Sequence, residues 1–228
     1  MAADALVQCV HADDDLLVLA KPAGLLCVPG RGPDKQDCLS ARTAQHWPGV
    51  LVVHRLDQAT SGLVLMARNP TAQRLLGRAF EQRQVHKRYQ AVVAGLLGEA
   101  GGAWGEIALP IAADWERRPL RVIDPALDKP SLTRWRAVAQ DAAAGVTHVE
   151  LEPVTGRTHQ LRVHLAAIGH PILGDALYAD AAALALAPRL LLHASTLAFD
   201  HPVHGRACRF DLPADFGQID LKPLPIKR

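Results

Sequence analysis

Residues 50–67 read VLVVHRLDQATSGLVLMA, a short polar segment between two apolar runs. The β-branched run at 50–53 is typical of a buried strand, and residues 62–67 are typical of a second strand that returns beside it. Residues 54–61 then form a loop at one edge of a sheet, and loops held by rigid strands commonly carry catalytic groups. His54, Arg55 and Asp57 all lie in this loop.

In the rest of the sequence, several predicted strands follow one another, and predicted helices are few. Helices are predicted at about 38–46 with Asp37 as the cap, from the Asn69-Pro70 pair onward, and at about 158–168 before Gly169. Strands are predicted at 6–10, 16–20, 88–94, 132–139, 147–154, 190–199 and about 208–212. The glycines between 98 and 105 indicate turns. This pattern predicts an α+β fold with a mixed, largely antiparallel central sheet flanked by helices.

The composition indicates a folded chain with a core of its own. Of the 228 residues, 49% are hydrophobic, which suffices for one domain or for two packed halves. The formal net charge is only +2, so a nucleic-acid surface requires local clusters of basic residues. The N-terminus has no basic stretch leading into an apolar run, and the four cysteines form no C-x-x-C pair. We expect a cytoplasmic protein without a membrane segment, a disulfide framework or a zinc knuckle.

Two long motifs carry a family resemblance. HRLDQATSG at 54–62 resembles the signature motif of the RluA-type pseudouridine synthases, and GRTHQLRVH at 156–164 resembles their second block. Further segments similar to this family are KRY at 87–89, HPILGD at 170–175, RLLLHA at 189–194, VPGR at 28–31 and DWERRP at 114–119. The last two resemble short members of the family that have no RNA-binding S4 domain. The resemblance therefore implies a single catalytic pseudouridine synthase domain over residues 1–228.

The resemblance also implies a chemistry that needs no cofactor. Pseudouridine formation breaks the C1′–N1 bond of uridine, turns the detached uracil and joins C5 to C1′ without net redox change. Asp57 is implied as the carboxylate that acts near C1′, as a nucleophile or in proton removal from the sugar. Arg157 is implied as the guanidinium that keeps this carboxylate ionised. Tyr89 is implied to stack on the base and assist loss of the C5 proton, and Arg55 to fill the space that the flipped base leaves.

Substrate and partners follow from the same resemblance. It implies substrate contacts for Arg55, His54, Leu192, Arg117 and Arg118. The implied substrate is structured RNA, a tRNA anticodon stem-loop, a 23S ribosomal RNA stem-loop or both. Trp115 is a candidate stacking surface, and the neighbouring basic residues are candidate phosphate contacts. We expect a monomer that needs no metal, no membrane and no obligatory protein partner.

Three other interpretations compete with this one. A metal hydrolase is suggested by four histidines, His159, His164, His170 and His193. The first two are five residues apart, a spacing that does not place them on one face of a helix, and an H-E-x-x-H motif is absent. Structural hydrogen bonds are therefore favoured for these histidines. A hydrolase triad of Ser61, His54 and Asp57 is opposed by the absence of a G-x-S-x-G elbow. A non-catalytic RNA-binding protein that keeps the fold is the third alternative.

Overall fold

The computed structural model of the protein describes residues 7–126 and 130–216. In chain order its elements are β1 (Gln8–Ala12), β2 (Leu16–Lys21), a 3₁₀ turn (Pro33–Lys35), α1 (Leu39–His46), β3 (Leu51–Val52), β4 (Ser61–Ala67), α2 (Pro70–Glu81), β5 (His86–Ala94), β6 (Gly105–Ala108), β7 (Ile111–Ala113), β8 (Arg121–Ile123), β9 (Leu132–Asp141), β10 (Val146–Pro153), α3 (Gln160–Ala167), α4 (Ala181–Ala185), β11 (Leu192–Asp200) and β12 (Ala207–Asp211). Among these helices, none is long and apolar enough to cross a membrane.

The described residues divide into two compact units. The first unit contains the chain up to Lys87 together with His193–Ala214. The second unit contains Arg88–Leu192 and the described residues from Asp215 onward. The prediction of a single catalytic domain over the whole sequence stays a prediction.

The first unit is built around β4, whose residues are all buried. β2 pairs antiparallel along one side of β4, so that the end of β2 at Lys21 lies opposite the start of β4 at Gly62. The other side of β4 is shared between two strands. β11 pairs parallel with its start, opposite Ser61 and Gly62, and β3 pairs antiparallel with its end, opposite Met66 and Ala67. β1 lies beyond β2, and β12 lies beyond β11.

Helix α2 covers part of this sheet. Its start is fixed by Asn69, whose side chain accepts a hydrogen bond from the Ala72 N–H at 2.8 Å, as the Asn-Pro pair predicts. Ala72 and Leu76 on its buried face belong to one apolar cluster with Leu63 and Leu65 of β4. Burial of such side chains is the main favourable term in folding, at about 25 cal/mol per Å² of apolar surface.

The second unit contains an antiparallel sheet in the order β5-β10-β9-β6 and a separate hairpin of β7 and β8. α3 contacts β8, β9 and β10, and Gly169 just beyond its end has φ 84°, which confirms the predicted helix stop. Apart from β4 and β11, the strand pairs within both units are antiparallel. The predicted α+β class with a mixed, largely antiparallel sheet is confirmed.

Some local predictions were wrong. Cys38, not Asp37, is the N-cap of α1, because Cys38 has the extended backbone of a cap and its Sγ accepts the Ala41 N–H. Asp37 instead forms an ion pair with Arg42. The predicted buried strand at 50–53 is only Leu51–Val52 and is half-buried, since it pairs only with the end of β4.

Short elements were missed. The stretch predicted as turns ends at Gly105, where β6 begins, and β6, β7, β8 and α4 had no predicted counterparts. Strands of three or four residues are too short for the alternation of apolar and polar residues to be visible. The predicted strand at 6–10 begins outside the described residues, which place β1 at Gln8–Ala12.

Gly62 provides a test of the β4–β11 contact. It has φ 113°, and a Cβ at this position would overlap the backbone of Ala194 in β11. We expect Gly62→Ala to lower the free energy of unfolding by about 3 kcal/mol in urea titrations, from backbone strain and overpacking together. Gly77→Ala is the matched control, because a Cβ on this helical glycine meets no atom within 4 Å. It should raise stability by up to about 1 kcal/mol, and equal effects of the two substitutions would contradict the argument.

Candidate active site

The loop between β3 and β4 carries Asp57, and a second segment, residues 21–27, holds it in place. Gln58, next to Asp57, exchanges hydrogen bonds with Gly24: its carbonyl accepts the Gly24 N–H at 2.9 Å, and its side-chain amide donates to the Gly24 carbonyl at 3.0 Å. The Leu56 N–H donates to the Cys27 Sγ at 3.2 Å. Asp57 is therefore fixed on both sides through the backbone of its neighbours.

Lys21 joins these two segments. The residue is 2% exposed, and its ammonium donates to the carbonyls of Pro22, Leu25 and Gln58 at 2.8, 2.8 and 3.0 Å. Burial lowers the pKa of Lys21 to about 8, against the opposing influence of the Cys27 and Asp57 charges. The group is therefore still protonated at neutral pH and supplies a positive charge close to the Asp57 carboxylate, which is half-buried.

His54 and Arg55 occupy the same loop in different environments. The His54 ring stacks on Phe80 with centroids 4.6 Å apart, and its Nε2 accepts the Leu65 N–H at 2.9 Å. This bond satisfies a donor of β4 at the point where β3 has ended. His54 thus has a structural function, and its predicted contact with substrate stays a prediction. Arg55 is exposed, as a side chain that enters RNA would have to be.

Tyr89 and Arg157 belong to the second unit. Tyr89 is half-buried on β5, opposite Leu151 of β10, and Arg157 is exposed in the loop that follows β10. Both residues therefore lie near the same end of the β5–β10 pair. The predicted approach of Asp57 to Tyr89 and Arg157 stays a prediction.

Gln160 shapes the loop that carries Arg157. Its Oε1 accepts the Arg157 N–H at 3.0 Å and the Thr155 hydroxyl at 2.7 Å, and its amide nitrogen donates to the Leu132 carbonyl and the Thr133 hydroxyl at 3.0 Å each. Gln160 is 3% exposed, and its bonds to the Thr155 and Thr133 hydroxyls are shielded from water. This residue was not predicted as part of the site, although it stands inside the motif at 156–164.

The remaining predicted substrate contacts also lie in the second unit. Leu192 is buried at the start of β11. Arg117 and Arg118 are exposed in the loop between β7 and β8, where Arg117 forms an ion pair with Asp114 at 2.8 Å. Their contacts with RNA stay predictions.

The histidines suspected of binding metal have hydrogen-bond partners. His164 contacts the Thr133 hydroxyl and the Leu109 carbonyl, and the Nδ1 atoms of His159 and His170 contact the Tyr178 hydroxyl and the Ala94 carbonyl. The Nδ1 of His193 contacts the Ser61 hydroxyl at 2.9 Å, and its Nε2 contacts the Leu212 carbonyl. These contacts are of the structural kind expected for the four histidines, and the absence of a metal site among them stays a prediction. Ser61 contacts His193, whereas the alternative triad requires a contact with His54.

Another group, Asp15, His201 and His204, has possible ligand atoms within 4.8 Å of one another. The Nδ1 of His201 accepts the backbone N–H groups of Val203 and His204, so the neutral ring carries its proton on Nε2. That Nε2 faces the Asp13 carboxylate at 3.3 Å. Both nitrogens of His201 are thus engaged in fixing a turn, and this arrangement does not leave a lone pair for a metal ion.

Lys21 provides a test of how the loop is held. Lys21→Met removes the donor shared by three carbonyls, and we expect it to lower the free energy of unfolding by about 2–4 kcal/mol, because buried acceptors lose their partner. Lys35→Met, at an exposed position, should change stability by less than about 0.5 kcal/mol. Urea titrations at neutral pH measure both. Similar stabilities for the two variants would show that the ammonium does not hold the loop.

His54 provides a pH test. Burial, and to a lesser extent the Lys87 charge, lowers the pKa of His54 to about 3. Below an ordinary pKa of about 6.5 the unfolded chain therefore binds a proton that the folded protein does not, and stability should fall by about 1.4 kcal/mol per pH unit between pH 6 and 4.

Comparison of His54→Gln with the wild type isolates this contribution. The variant should be less stable at pH 7 but should lose less stability than the wild type between pH 7 and pH 5, as measured by urea unfolding. His86→Gln, at an exposed histidine, should keep the wild-type pH dependence. Parallel stability curves for His54→Gln and the wild type would refute the assignment.

Comparison with known proteins identifies the family of this chain. Residues 15–167 match the family model described as RNA pseudouridylate synthase. The dual-specificity RNA pseudouridine synthase RluA of Escherichia coli K12 is 44% identical over 91% of this chain and 93% of its own length, and that of Pasteurella multocida is 45% identical over 93% and 95%. The solved structure of human RNA pseudouridylate synthase domain containing 1 has a TM-score of 0.77 at 30% identity, covering 94% of this chain and 86% of that one. The chain belongs to the RNA pseudouridylate synthase family, whose members are isomerases that act on RNA.

Proposed function

We propose that this pseudouridine synthase uses Asp57 as the carboxylate that acts at C1′ of the target uridine. The proposal rests on how the Asp57 loop is held. The buried Lys21 side chain, a backbone hydrogen bond between Gly24 and Gln58, and a hydrogen bond from the Leu56 N–H to the Cys27 Sγ fix the neighbours of one half-buried carboxylate. A nucleophile must be held within a fraction of an ångström of its target, and such a scaffold supplies that restraint.

The other proposed functions are those that the motifs imply. Arg157 pairs with Asp57 and keeps it ionised in the enclosed complex. Tyr89 stacks on the uracil and assists removal of the C5 proton after C5 has joined C1′, while N1 takes up a proton, so that the product is an isomer of the substrate. Arg55, which is exposed on the Asp57 loop, fills the position vacated by the flipped base.

The proposed substrate is an unpaired uridine in structured RNA. The relatives from Escherichia coli and Pasteurella multocida are named as dual-specificity RNA pseudouridine synthases, which supports two classes of RNA substrate. The two proposed classes, as the motifs imply, are stem-loops of tRNA and of 23S ribosomal RNA. We propose that the protein acts on them as a cytoplasmic monomer without an obligatory protein partner. His54, Leu192, Arg117 and Arg118 remain the proposed further contacts with the substrate.

Asp57→Asn tests the proposal directly. Loss of the carboxylate should lower isomerisation by at least about 10³-fold, while the dissociation constant for RNA changes little, because the amide keeps the size of the side chain. Carbodiimide-based detection of pseudouridine in a transcript measures the first quantity, and filter binding measures the second. Asp14→Asn, at an exposed position beyond the far end of β2, should keep wild-type activity.

Two outcomes would contradict the proposal. Full isomerisation by Asp57→Asn would show that another group acts at C1′. RNA binding by the wild type without any isomerisation, tested with total tRNA and ribosomal RNA that lack the modification, would favour a non-catalytic binding protein.

A further inference from the structure

The loop between β7 and β8 exposes a large aromatic side chain. Trp115 is 72% exposed, and the other large hydrophobic residues that are exposed in the described part of the chain lie between 37% and 55%. An indole offers a large apolar surface that proteins usually bury, at least in part. Such an exposed position therefore indicates a surface for a ligand.

The loop that presents Trp115 is ordered by its own hydrogen bonds. The Asp114 carboxylate accepts the Arg117 N–H at 2.9 Å and the Arg117 Nε–H at 2.8 Å. The backbone N–H of Asp114 donates to Leu120, and that of Leu120 donates to Arg117. The two bonds from Arg117, first of all that from its backbone N–H, hold the pKa of the Asp114 carboxyl below its usual range, so the carboxylate persists at neutral pH. Trp115 thus stands on a defined turn.

Arg118 completes the surface. Its guanidinium carbon lies 4.1 Å from the centre of the Trp115 ring, close enough for a cation–π contact. This contact engages one part of the indole and leaves most of it in solvent. The pair combines a flat π surface with a positive charge, the two features that bind an unpaired base and its phosphate.

The hairpin is linked to the block that contains Arg157. The backbone N–H of Arg121, the first residue of β8, donates to the Tyr178 hydroxyl at 2.9 Å. The same hydroxyl contacts the His159 Nδ1 at 2.7 Å, two residues after Arg157. Helix α3, which follows that loop, also contacts β8. The exposed indole and Arg157 therefore belong to one continuous hydrogen-bonded structure in the second unit.

We infer that Trp115 and Arg118 form a stacking platform for an unpaired nucleobase of the RNA loop that contains the target uridine. This inference rests on the proposed function and adds a second base-binding position to it. Stacking on an indole accepts any base, because every base has a π face. The platform therefore selects single-stranded loops over paired stems rather than one sequence over another.

The test compares two RNAs and five proteins, the Asp57→Asn parent and four variants of it. An RNA hairpin with an unpaired loop and a blunt duplex of the same stem are titrated against Asp57→Asn protein, so that binding is measured without turnover. The variants carry Trp115→Ala, Trp115→Phe or Arg118→Ala in that background, or Val138→Ala as a control at another exposed apolar side chain of the second unit. Circular dichroism and thermal unfolding check that every variant remains folded.

Stacking predicts a specific pattern. Trp115→Ala should weaken hairpin binding about tenfold or more, leave duplex binding unchanged and leave the salt dependence of hairpin binding unchanged. Trp115→Phe should recover most of the affinity, and Arg118→Ala should lower the slope of log affinity against log salt by about one. Val138→Ala should match the parent. In the active protein, Trp115→Ala should raise KM and leave kcat unchanged.

The failures of the two proposals are distinguishable. If Trp115→Ala binds the hairpin as tightly as the parent, or weakens hairpin and duplex equally, the platform is wrong, although Asp57-dependent isomerisation by the wild type would still stand. If the Asp57→Asn protein isomerises RNA as fast as the wild type while the Trp115 pattern holds, only the catalytic assignment is wrong. If the parent binds neither RNA, both proposals are wrong.

Discussion

The hydrogen bonds from the Lys21 ammonium are the interaction on which the position of the Asp57 loop depends. A buried cation is costly unless each donor has an acceptor, and here three carbonyls supply them. Two of these carbonyls belong to the segment after β2, and the third belongs to the residue after Asp57. Antiparallel pairing of β2 and β4 places Lys21 opposite Gly62, so the sheet register determines which loop the ammonium can reach. A shift by one residue would turn Lys21 to the other face of the sheet and release the loop.

Each unit uses a buried polar side chain in the same way. In the first, Lys21 joins the Asp57 loop to the segment after β2, and in the second, Gln160 joins the Arg157 loop to the start of β9. Neither side chain needs to contact a substrate. The proposed catalytic groups can therefore remain accessible while the buried groups behind them provide rigidity. The Arg162–Asp175 pair, with both side chains buried and two hydrogen bonds of 2.6 and 2.7 Å, similarly ties α3 to the segment that carries Tyr178.

The sequence was informative wherever the decisive interaction is local. The Asn69 cap of α2 and the Gly169 stop after α3 depend on neighbours within a turn, and both were predicted correctly. The fold class followed from runs of strands and few helices. The sequence did not indicate that the site is supported by Lys21, Cys27 and Gln160, because the partners of these residues are defined by tertiary packing. A lysine at the end of an apolar strand is ordinarily exposed to solvent. The prediction of Asp37 as the cap of α1 was wrong. The helix begins one residue later than the residue type suggested, and the Asp37 carboxylate pairs with Arg42 instead.

The parallel contact between β4 and β11 also affects how the protein is made. The two strands meet at Ser61 and His193, which are 132 residues apart, whereas the sheet of the second unit is formed from one continuous stretch of chain. A ribosome adding roughly 5–20 residues per second needs about 7 to 26 s to synthesise the residues between them. For that time the start of β4, a strand whose residues are all buried in the folded protein, has an unpaired edge on the nascent chain, and such edges are prone to join other strands. Demand for chaperones during translation is thus a consequence of this strand order.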